Sequence, residues 1–215
     1  MSSNARRLAA AVAVAAIVAA VSAVTAQASR SGSCQVDPRD AFQAFGAWGD
    51  SSFYNLANGG AFEGGTTQWT LSGGAALHGD NEPWNISGTG VGSLFLPAGS
   101  SALSTQTCST RLDAVTRLFV KNVGSTSGKL KVDLVIQIAG QGFVLNAGSI
   151  VAGSDWSPSA QLGPSLSSWS PQARLLPSWA GWTWGNVIVQ VRLTPVGDGA
   201  AFVVDDVYID PYQSR

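Results

Sequence analysis

The chain has 215 residues, with 12 Lys and Arg against 13 Asp and Glu, and only 12% of its residues are charged, half the ordinary share of about 25%. So little positive charge excludes a nucleic-acid binder that works by neutralising phosphates. The 45% apolar content excludes a disordered chain, and the sparse charge excludes a coiled coil.

The first segment reads as a leader. Arg6 and Arg7 give a short positive region, Leu8 to Val24 is almost wholly Ala and Val, and Ala26-Gln27-Ala28 is a small-x-small cleavage site. That pattern predicts a signal peptide over 1–28, removed on export. The apolar run falls short of the about 20 residues that span a bilayer, so no stable membrane insertion is expected after cleavage. Export to an oxidising compartment makes the two cysteines, Cys34 and Cys108, a disulfide pair. The bridge would tie an N-terminal extension, 29–50, to the body of a domain over 51–215. With a single His in the chain, the cysteines make no zinc site.

Next along the chain, Asp37 to Gly49 has the composition of a short helix with a start at Asp37-Pro38. After it the hydrophobic period is two. Short alternating runs occupy Gln68–Leu71 and Ser93–Leu96. Leu112, Ala114, Thr116, Leu118 and Val120 alternate with Arg111, Asp113, Arg117 and Lys121. Leu130, Val132, Leu134, Ile136 and Ile138 alternate with Lys129, Lys131, Asp133 and Gln137. Phe143–Leu145, Val187 to Leu193 and Ala201–Ile209 complete the series. Such alternation predicts half-buried strands. The punctuation is Gly, Ser, Pro and Asn, as in Asn58-Gly59-Gly60 and Gly197-Asp198-Gly199, which marks turns. The fold class is therefore all-β, a single sandwich or barrel. Ser157 to Trp184 lacks clear alternation and reads as long loops with one weak strand.

The search for catalytic motifs is negative: there is no nucleophile elbow, no zinc-protease helix and no phosphate-binding Gly loop. His78, Asp80 and Glu82 share the loop His78-Gly79-Asp80-Asn81-Glu82-Pro83, whose carboxylates are expected in solvent or on their own backbone. The chain is not expected to be an enzyme. Asp205-Asp206 lies inside an apolar strand; alternation puts one Asp inward, where it needs a cation, an Arg or backbone donors. Calcium suits a carboxylate with carbonyl co-ligands. Trp182 and Trp184 share a face if Pro177 to Gly185 is extended, and exposed indoles make flat platforms for sugar rings. Trp48, Trp69 and Trp156 are expected to pack.

Several segments fall in a familiar order: Trp48-Gly49-Asp50, Ala61-Phe62-Glu63, Gln68-Trp69-Thr70-Leu71-Ser72-Gly73-Gly74, Asn81-Glu82-Pro83, Ser93-Leu94-Phe95-Leu96-Pro97-Ala98-Gly99, Trp156-Ser157-Pro158 and Val204-Asp205-Asp206-Val207-Tyr208-Ile209-Asp210-Pro211. In this order the chain resembles a group of exported actinobacterial proteins and, through them, the galactose-binding-like jelly rolls used as carbohydrate-binding modules. The resemblance implies a jelly-roll β-sandwich. It also implies a structural calcium ion at Glu63 with Asp205 or Asp206, Asp206 being the favoured partner. As function it implies a secreted, non-catalytic module that binds glycan, acting at the cell envelope. The sugar-contacting residues of such modules vary and none carries over by motif; the ligand candidates Trp182, Trp184, His78, Asp80 and Glu82 are read from this sequence itself, and its low charge suits a neutral glycan. The competing expectation is a structural or protein-interaction domain of the envelope that binds no glycan.

Overall fold

A computed structural model of the chain describes residues 40–109, 114–138, 141–164 and 187–210. Twelve strands run β1 (Asn55–Leu56), β2 (Trp69–Ser72), β3 (Ala76–His78), β4 (Ser93–Leu96), β5 (Ser101–Ser104), β6 (Thr107–Ser109), β7 (Val115–Asn122), β8 (Lys129–Ile138), β9 (Gln141–Ile150), β10 (Ser157–Pro158), β11 (Val187–Val196) and β12 (Phe202–Asp210). A 3₁₀ turn, Gly46–Trp48, precedes them; it lies within the stretch expected to be helical. Among the described residues no helix is long and apolar enough to cross a membrane.

The strands form two antiparallel sheets. In the first the order is β10-β7-β12-β4-β3, with β1 also on β12. In the second it is β2-β5-β11-β8-β9, with β6 also on β11. The fold is an all-β jelly-roll sandwich. The alternation read in the sequence sets the inner faces. Leu130, Val132, Leu134 and Ile136 of β8, and Val187, Val189, Val191 and Leu193 of β11, face Leu94, Leu96, Leu118, Val120, Phe202, Val204 and Ile209 of the first sheet. Each such fully buried side chain stabilises by about 1.5–3 kcal/mol.

Two strands depart from the half-buried expectation. In β7 the residues opposite the core, Val115 and Phe119, are also buried, and β12 is buried along its whole length. Their outer side carries a second cluster of Ala44, Phe45, Tyr54, Val115, Phe119 and Tyr208. The segment 42–56 supplies it. Phe45 stacks on Phe119 at 5.3 Å and meets Tyr54 and Tyr208 edge-on at 5.2 and 5.5 Å.

Arg117, expected as a solvated residue, is buried in this layer. Its Nη1 pairs with Asp50 at 2.6 Å, its Nε donates to the Ser159 carbonyl at 2.9 Å, and its guanidinium lies 4.0 Å over the Phe45 ring. Burial works to raise the Asp50 carboxyl, but hydrogen bonds from Tyr54, the Ser52 amide and Arg117 outweigh it and hold Asp50 well below the usual range. The described part of 29–50 is thus welded to the sheet through a charged and aromatic layer. Cys108 sits in β6 opposite Ile188 and is not a free thiol; Cys34 lies outside the described residues.

Candidate functional site

The loop 79–92 joins β3 to β4 and lies over the outer side of the first sheet. Glu82 organises it. The residue is 1% exposed; its Oε2 accepts from the Trp84 amide at 2.5 Å and its Oε1 from the Ile86 amide at 2.7 Å. A carboxylate that closes a loop on its own backbone in this way satisfies donors that burial would otherwise leave unpaired. Glu82 is therefore corrected from ligand candidate to loop former: both its oxygens hold loop amides and the residue is out of solvent.

Both aspartates of β12 lie under this loop. The Glu82 amide donates to Asp205 Oδ2 at 3.2 Å, the Ser87 amide to Asp206 Oδ2 at 3.1 Å, and the Ser87 hydroxyl to Asp206 Oδ1. The expectation that one aspartate faces the core fails. Pairing with β7 shifts register between Asp205 and Tyr208, and Asp206 is left-handed at φ 48°, a conformation Asp tolerates better than most residues. The bulge re-phases the strand, so Val204 and Val207 enter the core and the two carboxyls meet the loop together. Burial, and then the neighbouring Asp206 charge, push Asp205 up to about 8. Burial, with the Glu82 charge adding to it, pushes Asp206 up to about 6.

Glu63 is exposed and separately engaged: its Oε2 accepts from the Val91 and Gly92 amides at 2.9 and 3.3 Å. Among the described residues no three His, Cys, Asp or Glu side chains are grouped to hold a metal ion. As placed, Glu63 is bonded to the Val91 and Gly92 amides, and Asp205 and Asp206 to the Glu82 and Ser87 amides.

The remaining predicted residues separate. His78 ends β3 in solvent, its ring 6.0 Å from that of Phe95. Asp80 is bonded by Lys121 of β7. Burial opposes ionisation of Asp80, but Lys121, through hydrogen bond and charge, outweighs it and holds the carboxyl below the usual range. Trp182 and Trp184 lie outside the described residues. Trp69 is buried, and Trp48 and Trp156 are half-buried against the second cluster.

Sequence reasoning missed Trp84, which is 41% exposed on this loop. Its signal was present: a lone indole in a stretch of Asp, Asn, Pro and Gly. It also missed the outward face of the second sheet. There the register aligns Thr70, Leu103, Arg192, Asp133 and Asn146 in one row across five strands, with Gln190, Val135 and Val144 in the next. Asp133, 4% exposed, accepts from Arg192 Nη2 at 2.8 Å and pairs with Lys131 at 3.1 Å. Its charge is thereby cancelled. That cluster keeps one positive charge in excess; beside it the face presents amides, Gln106 and Gln137, joined at 3.4 Å, and Gln190, whose amide reaches the Ser104 carbonyl at 2.7 Å, among aliphatic side chains.

No protein-family model matches the chain, and no curated protein matches it. Among the solved structures similar to it are carbohydrate-binding modules. One is a family 61 module in complex with β-1,4-galactotriose, at 12% identity over 74% of this chain and 99% of that one, with a TM-score of 0.45. Another is the CBM22-1 xylan-binding domain from Paenibacillus barcinonensis Xyn10C, at 17% identity, 72% and 93% coverage and a TM-score of 0.41. A third is the C-terminal family 22 module of Clostridium thermocellum Xyn10B, at 14% identity, 84% and 100% coverage and a TM-score of 0.45.

Proposed function

We propose that the chain is a non-catalytic, exported module that binds a neutral glycan on the outward face of the second sheet. The observation that carries this reading is the make-up of that face. Amide side chains from β8, β9 and β11 alternate with Val135, Val144 and Ile188, and the one carboxylate of the row, Asp133, is held by Lys131 and Arg192. Neutral hydroxyls are recognised by such fixed donors and acceptors, and the aliphatic stripe accepts the apolar faces of sugar rings. Export rests on the leader at 1–28, and the cell envelope is the proposed site of action. The loop carboxylates do not oppose each other across a cleft: Glu82 is buried and Asp80 is ion-paired. That arrangement supports binding rather than hydrolysis.

The test is affinity electrophoresis against neutral polysaccharides, with Gln137→Ala/Gln190→Ala and, separately, Trp182→Ala/Trp184→Ala. Retardation lost in the first variant with the fold intact supports the face named here. Retardation lost only in the second moves the site to those indoles. Calcium remains a proposal of the resemblance: it would require Glu63 and Asp206 to leave their present donors. A thermal midpoint that rises with calcium, and no longer does so in Asp206→Asn, is what would establish it.

One observation favours the protein-interaction reading. β9 spans 10 residues without a charge or a Pro and ends the second sheet among the described residues. An edge of this kind adds a strand from a partner chain. If no polysaccharide retards the protein, this reading takes its place.

A further inference from the structure

The outer side of the first sheet carries a surface of different chemistry. Along β7, Phe119 and Lys121 point outward two residues apart, about 7 Å along the strand. Trp84 lies over Phe119, with ring centroids 5.3 Å apart and an interplanar angle of 35°, and Trp48 meets it edge-on at 5.1 Å and 87°. One face of the indole is thus packed while the residue stays 41% exposed. Its backbone amide is fixed on Glu82. Ring and main chain are both held before anything binds, so little conformational entropy remains to be lost.

Beside this plate stands a polar rim. Lys121 pairs with Asp80, the side chains being 19% and 34% exposed, and the ammonium sits 5.1 Å over the ring of Trp156. Asp80 also accepts from the Asn81 amide; an ammonium has three donors and a carboxylate about four acceptor positions, so both heads can still hydrogen-bond further. The pair has no net charge. A neutral ligand can use the spare positions without disturbing it.

A flat apolar plate edged by donors and acceptors matches a pyranose, whose C–H face is apolar and whose rim is hydroxyl. We propose that Trp84, Asp80 and Lys121 form a second sugar-contacting site, for a neutral pyranoside unit, on the opposite side of the sandwich from the face named above. Trp84 supplies the stacking surface, and Asp80 and Lys121 bond the hydroxyls. Glu82 and Phe119 are positioning residues that hold the indole. The site stands without the second-sheet reading; only its corollary, a module that joins two glycan chains, rests on both.

The experiment uses the mature protein labelled with 5-fluorotryptophan, followed by ¹⁹F NMR during titration with xylotriose, cellotriose and β-1,4-galactotriose. Trp84→Phe assigns the resonance. The expected result is a saturable millimolar shift of the Trp84 signal with at least one sugar. Asp80→Ala should weaken it by about tenfold, and the Gln137→Ala/Gln190→Ala variant should leave it in place. A Trp84 signal unmoved by all three sugars overturns the site. So does a shift that disappears in the second-sheet variant, because Trp84 would then be reporting binding elsewhere. An Asp80→Ala protein that titrates like the parent removes the polar half. Loss of polysaccharide retardation in the second-sheet variant is read separately, so failure of either reading leaves the other intact.

Discussion

Glu82 and Asp205, 123 positions apart in the chain, meet through a single bond from the amide of one to the carboxylate of the other at 3.2 Å. Around that contact a polar loop is fastened to the middle of an apolar sheet by carboxylates on both sides. Glu82 gathers the loop, and Asp205 and Asp206 receive it.

Removing the loop's organiser should therefore be costly. In Glu82→Ala two amides lose a charged acceptor, at about 1.5–3 kcal/mol for each such bond. The loss should show as a lower urea midpoint with an unchanged slope. Glu82→Gln keeps one acceptor oxygen and should lose less.

The two aspartates set a pH dependence of unusual sign for carboxyls. Their folded-state values, about 8 and about 6, lie above the ordinary value of 3.8. The folded chain then holds protons that the unfolded chain has released, so stability falls as pH rises from about 4 to about 8 and levels off above. Asp205→Asn should flatten the upper part of that slope. Unfolding free energies measured across this range check both statements.

Arg117 and Asp50 form a buried pair, with side-chain exposures of 8% and 12%. Breaking such a pair leaves an uncompensated charge, at about 3–5 kcal/mol. Arg117→Ala should thus lower the thermal midpoint sharply, and loosening of 42–56 should appear first as faster amide exchange at Phe42 and Tyr54, whose amides and carbonyls pair with each other.

Cys34 and Cys108 are predicted to be joined. Thiol titration of the unfolded, unreduced protein should find no free thiol, and reduction should cost up to about 4 kcal/mol on the chain-entropy account.

The parts legible in the sequence were those whose side-chain pattern has one cause. β8 and β11 alternate because one face meets the core and the other does not, and both were read nearly to their ends. β7 and β12 were harder, because their second face is covered by a segment from far along the chain. Arg117 and Asp205 look like solvent-facing residues until Phe45, Tyr54 and the loop 79–92 are laid over them. The bulge at Asp206 was invisible for a related reason: a one-residue shift in pairing leaves composition and period nearly unchanged. Trp84 stands alone in the sequence, without the spacing pattern of the indoles near residue 182. What distinguishes Trp84 is its support, Phe119 and Trp48, which only the fold brings together.

β12 finds all its partners behind it. β1, β4 and β7 come from residues 55–122, while the strand they surround is the last of the described chain. The first sheet therefore has a gap at its centre until residue 210 is available, and the outer aromatic layer lacks Tyr208 until the same moment. Pairings of such long sequence separation close slowly. With this connectivity the seat of the aromatic layer and the middle of the sheet are completed in one step, by the pairing of β12.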